Sequence, residues 1–218
     1  MKLYGFGGLG ADIRVFEFMN FECEFIFVEW IKPEKEETIE AYAKRLSASI
    51  DTNGKFGILG VSFGGLIAVE ISKMLKPDIT ILISSVETRR EFRLIYRMAG
   101  KSKILRLLPE FVFNPPKNIA NWVFGAEKKQ LLKGILDDTD LSFSKWAINE
   151  LLEWKNEEQI ANPLLKIGGT NDQLIPTKRD KNVKIIQGVA HFMIVDRADE
   201  ISRIINEELR KLKLISIP

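Results

Sequence analysis

One stretch, residues 56–70, constrains the fold of this chain more than any other feature. It starts with an apolar run at 56–61, passes through the motif Gly-x-Ser-x-Gly at 60–64, and continues as a helix-favouring apolar run. The two glycines carry no Cβ, so neighbouring backbone can approach the turn closely. The stretch therefore predicts a buried strand, a sharp turn with Ser62 at its tip, and a helix whose positive end points toward the serine.

The motif alone leaves two interpretations open. Such a turn can lift a serine hydroxyl above a sheet as a nucleophile, but a glycine-rich turn can equally carry no chemistry. A serine hydroxyl is a poor nucleophile near neutral pH unless a base removes its proton. The function of Ser62 therefore depends on whether the rest of the chain supplies a base, an acid and donors for an oxyanion.

His191 is the only histidine, so it is the only candidate of the usual kind for the base. Histidine suits this work because its pKa lies near the working pH. His191 follows the predicted strand 183–187, and Ser62 follows the predicted strand 56–61. The carboxyl ends of parallel strands meet at one edge of a sheet, so we expect the two side chains there together. The alternative is a structural histidine.

Asp172 is the predicted acid, because it follows the strand 164–168 at the same edge of the sheet. A carboxylate there would fix the imidazole tautomer and stabilise its charged form. The aspartate could also be only a turn-forming residue, and Glu87, just after the preceding strand, is the alternative acid. Two later aspartates are predicted to cap the last helix: Asp196 and Asp199.

The oxyanion of an acyl-transfer reaction needs preset N–H donors. We expect one from the backbone of Phe63 and the other from Phe6, with Gly7 as the alternative to Phe6. Phe6 lies in residues 5–10, a predicted loop after the first strand, 2–4. This loop also fits the Gly-x-Gly-x-x-Gly spacing of dinucleotide sites, but no acidic residue closes a clear second strand at the right place.

The composition indicates an ordinary globular protein of one domain, with 45% hydrophobic and 28% charged residues. A net charge of +2 favours neither nucleic acid nor an anionic membrane as a partner. No apolar run is long enough to span a membrane, and no signal peptide is visible. Cys23 is the only cysteine, so we expect a cytoplasmic protein in which this thiol packs in the core rather than reacts.

Strands that alternate with helices predict an α/β fold, a parallel sheet with helices on both faces. Helices are predicted from residue 11 or 12 to 20, from about 39 to a stop at Asn53-Gly54, after Ser62, and over 198–212. The second strand alternates apolar and acidic residues, which is typical of a sheet edge. The six predicted strands are 2–4, 25–28, 56–61, 79–85, 164–168 and 183–187.

Residues 88–154 break this alternation and predict a helical insertion, a cap over the sheet edge that bears Ser62. Its prolines divide it into pieces: Pro109, Pro115 and Pro116. Apolar residues in it could line an acyl pocket or form the core of the cap: Phe92, Ile95, Tyr96, Phe111, Phe113, Trp122 and Phe124. Its basic residues predict a solvated face, or alternatively a site for an acidic or coenzyme-A-like substrate: Arg89, Arg90, Arg93, Arg97, Lys101, Lys103 and Arg106.

The chain order Ser62, Asp172, His191, together with the glycine loop, resembles the α/β-hydrolase superfamily. Residues 4–8, Tyr-Gly-Phe-Gly-Gly, are similar to its His-Gly-x-Gly-Gly loop, with tyrosine in place of histidine. The tract 131–140 resembles cap segments of small bacterial members. Two features depart from the family pattern: the usual two leading antiparallel strands are missing, which leaves a minimal six-stranded sheet, and Val61 replaces a frequent histidine.

The resemblance implies a serine hydrolase of one domain, residues 1–218, that cleaves a carboxylic ester or thioester without metal or organic cofactor. The implied partner is a small acyl substrate, and the oligomeric state stays open. An acyltransferase or a C–C or amide-bond hydrolase with the same three residues is the alternative within the class. A non-catalytic ligand-binding protein on this fold is the alternative from another class.

Overall fold

The computed structural model describes residues 1–102, 104–114, 116–177 and 183–216, so Lys103 and Pro115 lie outside the described residues. The strands are β1 Lys2–Phe6, β2 Glu24–Phe27, β3 Phe56–Val61, β4 Ile79–Ile83, β5 Leu164–Gly169 and β6 Val183–Ile186. The helices are α1 Ile39–Ser47, α2 Phe63–Leu75, α3 Leu94–Ser102, α4 Lys117–Phe124, α5 Lys129–Asp138, α6 Leu141–Glu153, α7 Met193–Asp196 and α8 Ala198–Lys211.

The strands form one six-stranded sheet in the order β2-β1-β3-β4-β5-β6. All five neighbouring pairs are parallel, with Tyr4 opposite Ile58 and Ile58 opposite Thr80 in the central register. The predicted parallel sheet is confirmed, and its second strand lies at an edge as expected. Because every strand is parallel, the turns that follow β1, β3, β5 and β6 all lie at one edge.

Side chains alternate across the sheet and so build a core on each face. On one face Ile58 belongs to a buried cluster with Leu66 of α2 and Tyr42 of α1. On the other face Leu59 belongs to a cluster that includes Ile201 of α8. Helices thus cover both faces of the sheet, as the alternation of the sequence predicts.

The helix α2 is the most enclosed helix of the fold. Ten of its 13 residues are buried, because it is apolar on all sides and packs on β3, β4 and α1. It ends where Lys76 takes a left-handed conformation, φ 50°, and donates its backbone N–H to the carbonyl oxygen of Ser72. Pro77 follows, where a helix cannot continue. Because α2 packs on β3, β4 and α1 along most of its length, its first residue, Phe63, is fixed at the sheet edge.

Four predicted boundaries are wrong. Strand β4 ends at Ile83 rather than at residue 85, and the other three have causes that the hydrogen bonds show. Strand β1 runs through Gly5 and Phe6, predicted as loop, because both residues pair with β3. The predicted helix to residue 20 is only the 3-10 turn Ile13–Val15, since the next segment is held extended against α8. There the amides of Asn20 and Glu22 donate to side-chain oxygens of α8.

The fourth wrong boundary is the end of α1, which lies at Ser47 rather than at the predicted stop, Asn53-Gly54. Two serines compete for the last carbonyl groups of the helix. The hydroxyls of Ser47 and Ser49 donate to the carbonyl oxygens of Lys44 and Leu46, each over 2.8 Å. Such local bonds offer the backbone an alternative to continued helix.

The segment between β4 and β5 consists of the helices α3 to α6 and three 3-10 turns, and it meets the loops at the site-bearing edge. The hydroxyl of Thr139, which donates to the carbonyl oxygen of Ile135 over 2.7 Å, also lies 3.4 Å from the carbonyl oxygen of Gly10. The amide of Phe192 donates to the carbonyl oxygen of Phe124 over 3.1 Å. That residues 88–154 act as a cap over bound substrate stays a prediction. Within the described part of the chain, no helix has the length and apolar character needed to cross a membrane.

Candidate active site

Ser62 sits at the tip of the turn between β3 and α2, with φ 51° and ψ −119°. A non-glycine residue with positive φ is strained, and the surroundings must hold it there. They do so through the Ser62 backbone: its amide donates to the carbonyl oxygen of Ile83 over 2.9 Å, and its carbonyl oxygen accepts from the Ser85 hydroxyl over 2.7 Å. The turn is therefore fixed from β4 as well as from its own ends.

The two glycines of the motif are required by close approach of backbone. A Cβ on Gly60 would lie 2.4 Å from the carbonyl oxygen of Gly64. A Cβ on Gly64 would lie 2.1 Å from the carbonyl oxygen of Gly7. The motif thus brings the loop after β1 directly against the start of α2.

The structure brings Ser62, His191 and Asp172 together in one hydrogen-bonded series. His191 Nε2 lies 2.8 Å from Ser62 Oγ, and His191 Nδ1 lies 2.8 Å from Asp172 Oδ2. The histidine and the aspartate are buried, with 4% and 5% of their surface exposed, whereas Ser62 is partly exposed. Ser62 is therefore the member of the series that is open to solvent, while the other two groups are enclosed by the protein.

The hydrogen bonds of Asp172 fix the direction of the series. Its Oδ1 accepts from the amides of Leu174, over 2.9 Å, and Ile175, over 2.8 Å. An ionised carboxylate only accepts hydrogen bonds, so Nδ1 of His191 carries the proton that faces Oδ2. The lone pair of Nε2 then faces Ser62, whose hydroxyl donates to it. This arrangement can remove the serine proton.

The alternative acid, Glu87, lies elsewhere: its Oε1 accepts from the amide of Ile160 over 2.9 Å. Both ring nitrogens of His191 are already taken by Asp172 and Ser62. The prediction that Asp196 caps the last helix is wrong. Its carboxylate instead accepts from the amides of Glu127 and Lys128, where the insertion enters α5.

The other aspartate of that pair, Asp199, lies in the first turn of α8 rather than at its cap. The N-cap position of α8 is occupied by Arg197, without a side-chain cap. A carboxylate in a first turn still favours a helix through the helix dipole. Both ring nitrogens of His191 are bonded to other residues, so neither of these aspartates takes the place of Asp172.

The two residues predicted to hold an oxyanion lie at the ends of two elements that meet beside Ser62. Phe6 is the last residue of β1, and Phe63 is the first residue of α2, where backbone N–H groups have no partner within the helix. Their buried rings both pack against Trp30, with centroid distances of 6.3 and 5.9 Å. The Trp30 indole N–H also donates to the carbonyl oxygen of Ala11 over 3.1 Å.

Sequence reasoning missed Trp30, although one signal was available. The residue follows β2 at the same edge as Ser62, and a tryptophan at a strand end needs a partner for its N–H. Sequence reasoning also gave no special role to Phe124 among the insertion aromatics. Its ring packs edge-on against the His191 imidazole, with centroids 5.6 Å apart.

The other apolar residues of the predicted pocket divide between two environments. Phe92 is buried against Trp154 and Tyr96, and Phe113 is also buried. Ile95, Phe111 and Trp122 are exposed. Phe124 is the member of that set whose ring packs against the hydrogen-bonded series, and the acyl pocket stays a prediction.

Much of the predicted basic face is engaged in structural bonds. Arg106 pairs with Glu153 over 2.6 Å and with Glu150 over 3.2 Å. Arg89 donates to the carbonyl oxygen of Arg97 over 2.9 Å, and Arg90 pairs with Glu157. Of the remaining residues, Arg93 is exposed, and the side chain of Lys101 lies outside the described part of the structure, as does Lys103.

The described residues contain no group of three or more His, Cys, Asp or Glu side chains arranged to hold a metal ion. Cys23 is half-buried beside the core cluster that contains Leu59 and Ile201, and burial raises the pKa of its thiol to about 11. A thiol with so high a pKa is almost entirely protonated at neutral pH, which suits packing rather than nucleophilic attack.

Solved structures share this arrangement of sheet and helices. A hydrolase from Pseudomonas aeruginosa PA01 matches with a TM-score of 0.70 at 12% identity over 95% of this chain and 89% of that one. The chain has the α/β-hydrolase fold. An esterase from Thermogutta terrifontis matches with a TM-score of 0.68 at 14% identity, covering 97% and 90% of the two chains.

A third α/β-hydrolase-fold structure, MenH from S. aureus, matches with a TM-score of 0.66 at 17% identity, over 98% of this chain and 94% of that one. No protein-family model and no curated protein matches the sequence. At such identities the similarity establishes the fold, and the chemistry must be argued from the residues of the site.

Proposed function

We propose that the protein is a serine hydrolase that cleaves a carboxylic ester or thioester through an acyl-enzyme on Ser62. The observation that carries the proposal is the hydrogen-bonded series of Ser62, His191 and Asp172, with 2.8 Å at each link. Its polarity supports proton removal from the serine, because the buried carboxylate holds the proton on Nδ1 and leaves Nε2 free to accept.

The first half of the reaction forms the acyl-enzyme. Ser62 Oγ attacks the acyl carbonyl carbon while its proton moves to His191 Nε2. The C–O or C–S bond to the leaving group then breaks, and His191 returns the proton to that group. In the second half a water molecule attacks the acyl carbon in the same way, its proton passes through His191 to Ser62, and the carboxylic acid leaves.

The tetrahedral oxyanion of both halves would be held by the backbone N–H groups of Phe6 and Phe63. The start of α2 supports this role, because its unpaired N–H groups and its dipole favour negative charge beside Ser62. The contact of Gly64 with Gly7 supports it further, since it holds the two donor segments side by side.

The proposal involves a small-molecule acyl substrate and no organic cofactor or metal. An acyltransferase or a C–C or amide-bond hydrolase would use the same three residues with another acceptor or bond. A cytoplasmic location stays a prediction from the single cysteine.

A fluorophosphonate tests the nucleophile directly, because it phosphonylates an activated serine. The intact mass of the wild type should rise by one adduct, and the Ser62→Ala variant should show none. The matched control is Ser84→Ala, which removes a buried serine hydroxyl near the same edge and should leave the adduct unchanged. An unmodified wild type, or an equal adduct on Ser62→Ala, would contradict the proposal and favour a non-catalytic ligand-binding protein.

The acid is tested by Asp172→Asn, which keeps the shape of the side chain but favours the wrong imidazole tautomer. We expect a fall of about 10⁴-fold in kcat for a soluble acyl ester, with the fold retained. Glu87→Gln is the matched control, since it changes the alternative carboxylate in the same way. A large loss in Glu87→Gln with near-normal turnover in Asp172→Asn would assign the acid to Glu87.

A further inference from the structure

The insertion exposes an unusual amount of apolar side chain. Eight large apolar residues of α3, α4 and the two 3-10 turns between them are exposed, with Leu107 at 85% and Trp122 at 68%. In the rest of the described chain only four are exposed, and they are scattered: Ile13, Phe18, Ile31 and Met74. The insertion surface is defined here as Leu94, Ile95, Met98, Leu107, Phe111, Val112, Ile119 and Trp122.

The packing of these elements explains why the side chains face outward. Helix α3 and the turns Ile104–Leu107 and Glu110–Phe113 all contact α6. Their exposed apolar side chains therefore lie on the sides that face away from α6, and α4 follows directly in the chain. Soluble monomers rarely expose large apolar patches, and such patches mark sites of association.

The charge of this segment differs in sign from the charge of the rest of the chain. Residues 89–122 contain eight Lys or Arg and two Asp or Glu, a net charge of +6, whereas the rest of the chain carries −4. The overall charge of +2 conceals this division. Arg90 and Arg106 pair with glutamates outside the segment, Glu157, Glu150 and Glu153, so the surface is less positive than this count but still basic. Arg93 is exposed on the segment, one residue before the first apolar member of the insertion surface.

We propose that the insertion surface docks on an anionic membrane surface. Apolar side chains of the Trp, Phe and Leu type beside basic residues are the combination that binds the headgroup region of an anionic bilayer. A second copy of this chain is a poorer occupant, because a two-fold interface would set the same basic segment against itself. The chain would lie on the membrane and not cross it.

The proposal does not depend on the proposed hydrolase activity. Binding needs only the exposed side chains and the charge of residues 89–122, none of which belongs to the hydrogen-bonded series. The two features are nonetheless adjacent, since α4 carries Trp122 of the insertion surface and also Phe124, which packs against His191. The Ser62→Ala variant should therefore bind membranes as the wild type does.

Vesicle flotation tests the proposal with the intact chain. We expect the wild type to float with vesicles of equal parts phosphatidylcholine and phosphatidylserine, and to stay behind with pure phosphatidylcholine or at high salt. Trp122 is the exposed tryptophan of the four, so its emission should shift to the blue on binding. Absence of flotation with the anionic vesicles, or equal flotation with both kinds, would overturn the proposal.

Two pairs of variants locate the binding. Leu107→Ser/Phe111→Ser should lower the vesicle partition coefficient by about tenfold or more, because two side chains that enter the bilayer are lost. Ile31→Ser/Met74→Ser removes two exposed apolar side chains elsewhere, at 38% and 42% exposure, and should leave it unchanged. Arg93→Glu should weaken binding more than Lys35→Glu, which alters the net charge equally at an exposed site outside the segment.

The controls also distinguish membrane binding from association with a second copy of the chain. Thermal unfolding followed by circular dichroism confirms that each variant folds. An equal loss of flotation in both serine pairs would show that the insertion surface is not the membrane contact. A wild-type dimer that Leu107→Ser/Phe111→Ser converts to a monomer, without flotation of either, would overturn the proposal in favour of a second copy.

Discussion

Two helices of the same insertion, α6 and α3, differ in how far their side chains are bonded and buried. Helix α6 is tied to the rest of the fold by polar bonds: the Trp146 indole N–H donates to the carbonyl oxygen of Glu37, and Glu150 accepts from the amide of Ile39. Just beyond its end, the Trp154 indole N–H donates to Glu70 over 2.8 Å. Helix α3 packs on α6 but leaves Leu94 and other apolar side chains in solvent.

The difference shows that the insertion is not uniform. Its second half belongs to the core, since Phe143 and Trp146 share an aromatic cluster with Phe63 beside the candidate site. Its first half packs on that second half and leaves large apolar side chains exposed to solvent. Substitutions of the same chemical kind should therefore have different effects in the two halves.

The largest expected difference is between two tryptophans. Trp154, which is 1% exposed, fills the core and bonds Glu70, so Trp154→Ala should lower the free energy of unfolding by about 3–5 kcal/mol. Trp122→Ala removes the same side chain from the exposed half and should change it by less than about 0.5 kcal/mol. Urea titration measures both. Similar losses in the two variants would show that the halves are equally embedded.

A smaller effect is expected from Trp30→Phe, which keeps an aromatic ring but loses the bond to the carbonyl oxygen of Ala11. Loss of one such bond should cost about 0.5–1.5 kcal/mol of stability. Under the proposed function kcat should also fall with little change in KM, because the segment that holds the oxyanion donor is loosened.

Trp146→Phe is the matched control for that prediction. Its ring also packs on Phe63, as the ring of Trp30 does, but the indole bond that it loses goes to the carbonyl oxygen of Glu37 and not to the loop after β1. We expect a similar loss of stability with kcat retained. A fall in kcat of equal size in both variants would mean that general loosening, and not the position of Trp30, is responsible.

The smallest effect concerns Glu150, the buried carboxylate that joins α6 to α1. Burial raises its pKa above the ordinary value of 4.5. The folded chain therefore holds this proton more tightly than the unfolded chain. Stability from the group is fully present below pH 4.5 and is lost as the pH rises through the raised folded pKa.

Glu150→Gln removes this titration, so urea unfolding of the wild type and the variant should be compared at several pH values. The stability of the wild type relative to the variant should decline as the pH rises from below 4.5 toward 7. Glu153→Gln, which also removes a carboxylate partner of Arg106, is the control for loss of that ion pairing itself. A pH-independent difference for Glu150→Gln would refute the assigned cause.

Much of the fold and the placement of the candidate site could be predicted from the sequence. The apolar runs of β3 and α2 and the order Ser62, Asp172, His191 depend on local pattern and on the geometry of parallel strands. The helix predicted to end at residue 20 failed, because the amides of Asn20 and Glu22 bond to side chains of α8, far along the chain. Local propensity carries no information about a hydrogen-bond partner so far along the chain.

The exposure of α3 and α4 was equally hidden from sequence reasoning. Apolar periodicity indicates that a helix has an apolar face, but it does not say whether anything covers that face. Trp122 and Trp154 therefore looked alike before their surroundings were known. The role of Trp30 was missed for the same reason, since its contacts join four segments that are distant in sequence.

The strand order has a consequence for how the chain is made. β1 lies between β2 and β3, and each strand from β3 onward joins the free edge of a sheet that already exists. The sheet can therefore grow in the direction of synthesis, which proceeds from the N-terminus. Ser62 is made early, whereas Asp172 and His191 follow β5 and β6. Under the proposed function, a chain released before β6 would carry the serine without its base, and partial products of translation would be inert.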